Sequence, residues 1–193
     1  KYIAGISVTN GYQSVTWTLD GARTVWSENH VGSAYDVTND GTMACGYAYH
    51  PEKNNRTPAM WWVNDKGERD SILLDYSNIS PFAVAWNFSP DGTKISADKV
   101  IYDVTNKKTQ RIDLTSVYDV KPGGKKSFLY GYEFFRVTNK GNVVGHYTTG
   151  EQDIQHAAYV IGGKIYDLQE WLEVNYQIDF KGWILLECTG ISE

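Results

Sequence analysis

Apolar and polar side chains alternate with a period of two through short segments, each stopped by a cluster of turn formers, which is the pattern of half-buried β-strands. Three of these segments share one form: Ala34-Tyr-Asp-Val-Thr-Asn-Asp-Gly41, Ala85-Trp-Asn-Phe-Ser-Pro-Asp-Gly92 and Phe134-Phe-Arg-Val-Thr-Asn-Lys-Gly141. Their closing glycines fall 51 and 49 residues apart, a spacing steady enough to mark tandem units. In each, the strand meets Asn-Asp-Gly, Pro-Asp-Gly or Asn-Lys-Gly, where the glycine supplies the positive φ of a tight hairpin.

The rest of each unit follows the same plan. A second strand reads Thr42–Gly46, Thr93–Ala97 or Asn142–Gly145, and a variable loop leads to a third at Ala59–Trp62, Val100–Tyr102 or Ala157–Val160. A second hairpin then turns at Asn64–Gly67, Thr105–Lys108 or Gly162-Gly163, and the last strand ends near Leu73-Leu74, Ile112–Leu114 or Ile165–Leu168. Leu168, Trp171 and Leu172 have helical spacing, so a short helix or turn is predicted around 168–174. Four antiparallel strands per unit predict an all-β fold, a β-propeller or propeller fragment built from about four four-stranded blades of roughly 50 residues.

The chain is read as one repeat domain, 1–193, with a partial unit at 1–30, units at about 33–80, 84–125 and 133–178, and a partial unit at 184–193. Lys1–Gly5 matches a second strand without the first, with Gln13–Trp17 and Thr24–Trp26 as its third and fourth; Ile184–Ser192 resembles a first strand without the rest. Either the ends pair in one shared closing blade, which would remove exposed sheet edges, or the chain is a contiguous slice of a longer propeller. Breaks inside a hairpin at both ends favour the slice. The opening Lys1-Tyr-Ile-Ala, in place of an initiator Met or a signal sequence, suggests a processed or trimmed product.

Composition narrows the classes. An apolar content of 41% supplies a normal core, and a net charge of -5 with no basic run argues against nucleic acid as a partner. No apolar run is long enough to span a bilayer. Cys45 and Cys188 have neither zinc-knuckle nor CxxC spacing, and both a disulfide and two buried thiols stay open.

Candidate chemistry is sparse. His30, His50, His146 and His156 lack the spacing of a local ligand pair, although His50 and His146 follow equivalent strands; no metal site and no cofactor is predicted. Asp36, Asn39 and Asp40 lack the ligand ladder of a calcium loop and read as turn formers, as do Asp91 and Asn139 in the later copies. Glycoside hydrolysis needs opposed carboxylates, and Asp98, Asp103, Glu133 and Asp153 are available without any being singled out. No GxSxG elbow, phosphate loop or dinucleotide fingerprint occurs, so no catalytic residue is assigned. The candidate binding residues are the aromatic and polar ones near the variable loops: Tyr47, Tyr49, His50, Trp61, Trp62, His146, Tyr147 and His156. Each also has a plain reading as sheet packing.

The order Ala-Tyr-Asp-Val-Thr-Asn-Asp-Gly-Thr-Met-Ala-Cys-Gly, then a Trp-bearing strand, then Gly and a terminal Leu-Leu or Asp-Leu, resembles the HAF-type extracellular repeat of bacteria across nearly the whole chain. The second unit departs from it, with Ala97 in place of Gly and Ile101-Tyr102 in place of the Trp strand. The resemblance implies a propeller that is secreted or held in the cell envelope. The expected function is a non-catalytic module for binding or assembly, with a glycan or a protein as partner at the cell surface. The alternatives are a carbohydrate-active enzyme with acidic residues at the propeller channel, or a purely structural part of a longer chain.

Overall fold

The computed structural model describes residues 1–8, 12–27, 31–49, 55–74, 83–121, 124–150 and 154–192. The first sheet contains β1 (Tyr2–Ser7), β2 (Gln13–Thr18) and β3 (Arg23–Val25). The second contains β4 (Gly32–Val37), β5 (Met43–Tyr49), β6 (Arg56–Val63) and β7 (Arg69–Leu73), and the third β8 (Asn87–Phe88), β9 (Lys94–Ala97), β10 (Val100–Asp103) and β11 (Lys108–Arg111). A hairpin of β12 (Ser116–Tyr118) and β13 (Lys125–Phe128) precedes β14 (Gly131–Val137), β15 (Val143–Thr148), β16 (His156–Ile161) and β17 (Lys164–Asp167), with which it shares the fourth sheet. The helix α1 covers Leu168–Tyr176.

The repeated turns account for the repeated strands. Gly41, Gly92 and Gly141 sit at φ 72°, 72° and 83°. Each donates its N–H to the carbonyl three residues back, at Thr38, Ser89 or Thr138. Asp40 adds a side-chain cap by accepting from the Thr38 hydroxyl at 2.6 Å and from the Thr42 N–H at 3.0 Å, and Asp91 does the same with Ser89 and Thr93. Where Lys140 replaces the aspartate, the Thr138 hydroxyl takes over and accepts from the Asn142 N–H at 3.1 Å. Short polar side chains at these places thus act as turn formers.

Period-two alternation puts consecutive residues into different cores. Met60 packs with Cys45, Leu74, Phe88, Ile95 and Tyr102 between the second and third sheets. Its neighbour Trp61 packs with Trp26, Ala34 and Ala59 between the first and second. Likewise Tyr102 joins the former core, whereas Ile101 joins Phe134, Val137 and Val143 between the third and fourth. Fully burying one such side chain stabilises by about 1.5–3 kcal/mol, so these shared faces fix the order of the sheets. The innermost strands converge: Asp36 of β4, Asn87 of β8, Arg136 of β14 and Gly190 of the C-terminal segment line one cavity, an arrangement that a linear stack would not give. Cys45 and Cys188 are both free, and burial pushes the Cys45 thiol well up from its ordinary value.

Two glycines set how the innermost strand is held. Gly46 lies opposite Ala34 and Gly145 opposite Phe134, and a Cβ on either would overlap the backbone carbonyl oxygen of Ser33 or Glu133. In the third sheet Ala97 occupies this place, and the pairing of β8 with β9 stops at Asn87 and Ser96. The departure noted in the sequence therefore shortens a strand and leaves the sheet otherwise intact.

Three features differ from expectation. The last strand of the second unit is β11, ending at Arg111 ahead of Ile112–Leu114; its Lys, Thr, Gln and Arg suit an exposed edge, while Ile112 turns into the core of the fourth sheet. The β12–β13 hairpin, unmarked in the repeat pattern, adds to the outer edge of β17 by parallel pairing of Val117 with Ile165 and Tyr118 with Tyr166. Finally, β1 pairs with β2 alone among the described residues, and Ile184–Ser192 forms no strand, so the shared closing blade is not present. The short helix does form, with the Asp167 carboxylate capping the Glu170 N–H at 3.0 Å and Gln177 closing it at φ 57°.

Gly46→Ala is expected to cost about 1–3 kcal/mol in urea unfolding, because backbone must move to admit the methyl, whereas Ala97→Gly should cost about 1 kcal/mol or less. The turn carboxylates give a pH signature. Asp40 and Asp91 are held below the usual carboxylate range by the hydroxyls of Thr38 and Ser89, so their contribution is complete above the unfolded value and is lost as pH falls through the folded one. In acid titrations of stability, the double variant Asp40→Asn with Asp91→Asn should show a shallower loss below about pH 4 than the parent.

Candidate functional site

The innermost strands carry an irregularity with a consequence for side-chain placement. Pairing runs from Gly46–Ala34 to Cys45–Asp36 and skips Tyr35; in the fourth sheet it runs from Gly145–Phe134 to Val144–Arg136 and skips Phe135. Trp86 holds the same rank just ahead of β8. A bulged residue leaves the ladder, so its side chain is aimed by packing alone.

These three rings meet across the sheets. Tyr35 lies 5.3 Å from Trp86, and Trp86 lies 5.2 Å from Phe135 at 90°. The row continues at one end through Tyr47, at 5.8 Å from Tyr35, to Tyr49 at 5.9 Å, and at the other to His146 at 5.6 Å from Phe135. Edge-to-face pairs such as Trp86–Phe135 contribute about 0.5–1.5 kcal/mol each beyond burial. Tyr35 is its most open member at 40% exposed.

Polar groups mark the row at intervals. The Arg56 guanidinium lies 4.7 Å above the Tyr47 ring, and its bond with the Tyr49 side chain holds it further in the charged state. Burial pushes the Tyr47 hydroxyl up, with Arg56 opposing. The Trp86 indole N–H donates to Asp98 at 2.8 Å; Asp98 is buried and sits at φ 45°. At the far end the Gln155 amide nitrogen lies 3.3 Å from His146 Nε2. The buried Nδ1 of the same ring has no hydrogen-bond partner among the described residues. A half-buried aromatic strip with a cation at one end and an unpartnered ring nitrogen at the other can hold an extended ligand by stacking and by polar contact. It offers no activated nucleophile.

One residue further along each strand, the same geometry serves cohesion. Asp36 accepts from the Asn87 side chain at 3.1 Å and from the Phe88 N–H at 2.9 Å, and Asn87 accepts from the Val137 N–H at 3.3 Å. This relay walks from the second sheet to the fourth along the wall of a cavity of about 450 Å³.

The structure separates the candidate binding residues predicted from sequence. Tyr47, Tyr49 and His146 belong to the aromatic row. Trp61 is 2% exposed in the core between the first and second sheets. Trp62 packs against the next core with the Lys107 ammonium 5.4 Å from its ring. Tyr147 of β15 and His156 of β16 stack at 5.3 Å, where the Tyr147 hydroxyl donates to Asp167 at 3.0 Å and His156 Nδ1 lies 3.4 Å from the same carboxylate. His50, like His30 and Asp153, lies outside the described residues. Of the other acids, Asp103 is capped by Asn106 in a turn and Glu133 is half-buried on β14. Tyr35, Trp86, Phe135 and Arg56 were not singled out by sequence reasoning. The signal for the first three was their shared rank, one place after Ala34, Ala85 and Phe134.

No family model matches the sequence, and no curated protein is detectably similar to it. Among solved structures, that of a protein described as TolB from Agrobacterium tumefaciens superposes with a TM-score of 0.54 at 13% identity, covering 85% of this chain and 58% of that one. A TolB structure from Acinetobacter baumannii gives a TM-score of 0.30 at 14% identity, covering 86% and 53%, too loose a fit to bear on the fold. This chain spans less than two thirds of either structure. The likeness to the first is one of fold: an all-β chain arranged as a TolB-like β-propeller, with its sheets not closed into a ring.

Trp86→Phe keeps a ring in the row but removes the donor to the buried Asp98 carboxylate. A loss of about 1.5–3 kcal/mol is expected, read as a lowered urea midpoint with an unchanged slope.

Proposed function

We propose that the chain is a non-catalytic β-propeller module of the bacterial cell envelope that binds another protein along the row Tyr35, Trp86 and Phe135. The aromatic row carries this reading: it is built at one repeat rank, crosses three sheets and stays half open, where packing alone would have let the rings turn into the cores. The TolB-like fold and the HAF-type repeat resemblance support an envelope module. No described helix is long and apolar enough to cross a membrane. Ring edges interleaved with the amides of irregular inner strands suit a peptide, whose own side chains and amides alternate, better than a sugar face.

A peptide library displayed on phage and selected against the chain provides the test. Selected peptides should bind Trp86→Ala with Phe135→Ala at least tenfold more weakly, a change of about 1.4 kcal/mol. The milder Tyr35→Ala, at an exposed ring, should weaken the same peptides without altering circular dichroism. Selected peptides that bind both variants as well as the parent would remove the row as the binding surface.

A further inference from the structure

The two ends of the aromatic row carry opposite charges. Tyr49 of β5 closes one end, and its ladder partner on β6 is Arg56. His146 of β15 closes the other, and its ladder partner on β14 is Glu133. Residues directly opposite in an antiparallel ladder send their side chains to the same face, so each charge stands beside the ring it is paired with. Between the ends lies one further carboxylate, Asp98, which the Trp86 indole N–H already engages at 2.8 Å.

Neither terminal charge is neutralised by the chain. Arg56 gives one face of its guanidinium to the Tyr47 ring, at 4.7 Å, and one bond to the Tyr49 side chain, and it makes no ion pair among the described residues. Stacking fixes the plane of the guanidinium and leaves N–H groups at its rim, the geometry that takes a carboxylate edge-on. Glu133 is half-buried and likewise makes no ion pair among the described residues. A half-buried charge without a counter-ion has given up hydration for nothing, so each end favours a ligand group of the opposite sign. The four ring-to-ring steps from Tyr47 to His146 are 5.2–5.8 Å long, a path that an extended chain at about 3.3 Å per residue covers in at most about seven residues.

We propose that the row reads an extended peptide in one direction: an Asp or Glu side chain of the peptide pairs with Arg56 at the Tyr49 end, and a Lys or Arg side chain within about seven residues of it pairs with Glu133 at the His146 end. The inference rests on the row being the protein-binding surface and adds the charge pattern of the partner. Rings alone accept apolar side chains in either direction, because stacking has no polarity along the row. A charge of opposite sign at each end sets like against like when the peptide is reversed, so the wrong direction is repelled at two places.

Peptides selected from the phage library serve as probes, synthesised with an amidated C-terminus so that only side chains supply carboxylates. They should carry one acidic and one basic residue within about seven positions of each other. Replacing the acid by its amide should weaken binding to the parent protein about tenfold and change nothing further on Arg56→Gln; replacing the base by Gln should do the same with Glu133→Gln. The charge-exchanged protein, Arg56→Glu with Glu133→Arg, should prefer peptides in which the two charges have been exchanged. If a protein variant does not fold, the substitutions in the peptide decide, since they are read on the unaltered chain. Uncharged peptides that bind the parent as tightly as their charged originals, yet lose affinity for Trp86→Ala with Phe135→Ala, would overturn the direction and leave the row as the binding surface. Peptides indifferent to both changes, or a library without a binder, would remove both readings.

Discussion

The approach of an innermost strand to its neighbour, close enough that only a glycine hydrogen atom fits between backbone and backbone, governs the rest of this molecule. At Gly46 and Gly145 the carbonyl of the same glycine accepts a hydrogen bond from a later segment, from Ala85 just ahead of β8 and from Cys188 in the C-terminal segment respectively. At Gly46 one contact therefore serves both the pairing inside its sheet and the placement of the sheet that follows. The apolar faces add most of the stabilisation, but they are broad and forgiving; the backbone contact selects one register among those that burial alone would tolerate.

The same constraint generates the candidate site. Close pairing on either side of the bulge leaves Tyr35 in β4 and Phe135 in β14 with no partner in the ladder, and Trp86, just ahead of β8, holds the same rank. The next residue in each strand, Asp36 or Asn87, is committed to cohesion through the cross-sheet relay. Binding surface and structural seam thus lie one position apart, and a change in the rings can alter recognition while the seam is kept. This is how a repeat fold can carry a particular surface without a dedicated loop.

Much of this was legible in the sequence, for identifiable reasons. The turns Asn-Asp-Gly, Pro-Asp-Gly and Asn-Lys-Gly announced the hairpins because positive φ and side-chain capping leave few residue choices. The alternation Met60-Trp61 announced two faces, and the structure sends one residue to each of two cores. The aromatic row was not found, because bulges are set by hydrogen-bond register and the string of letters shows no skipped residue. Trp61 illustrates the opposite difficulty: composition marks a tryptophan as a binding candidate, but only packing shows it enclosed. The β12–β13 hairpin escaped for a third reason, since its partner β17 lies far along the chain and parallel pairing leaves no local signature.

That hairpin also ties together distant parts of the chain. The fourth sheet takes its outermost strands from chain that precedes its innermost one, so Val117 must wait for Ile165 before its edge is satisfied. Loop closure over that separation is slow compared with the adjacent hairpins β14–β15 and β15–β16, which need only their own turns. During synthesis the β12–β13 hairpin thus precedes the strand it pairs with, and a two-stranded hairpin alone is marginal in water.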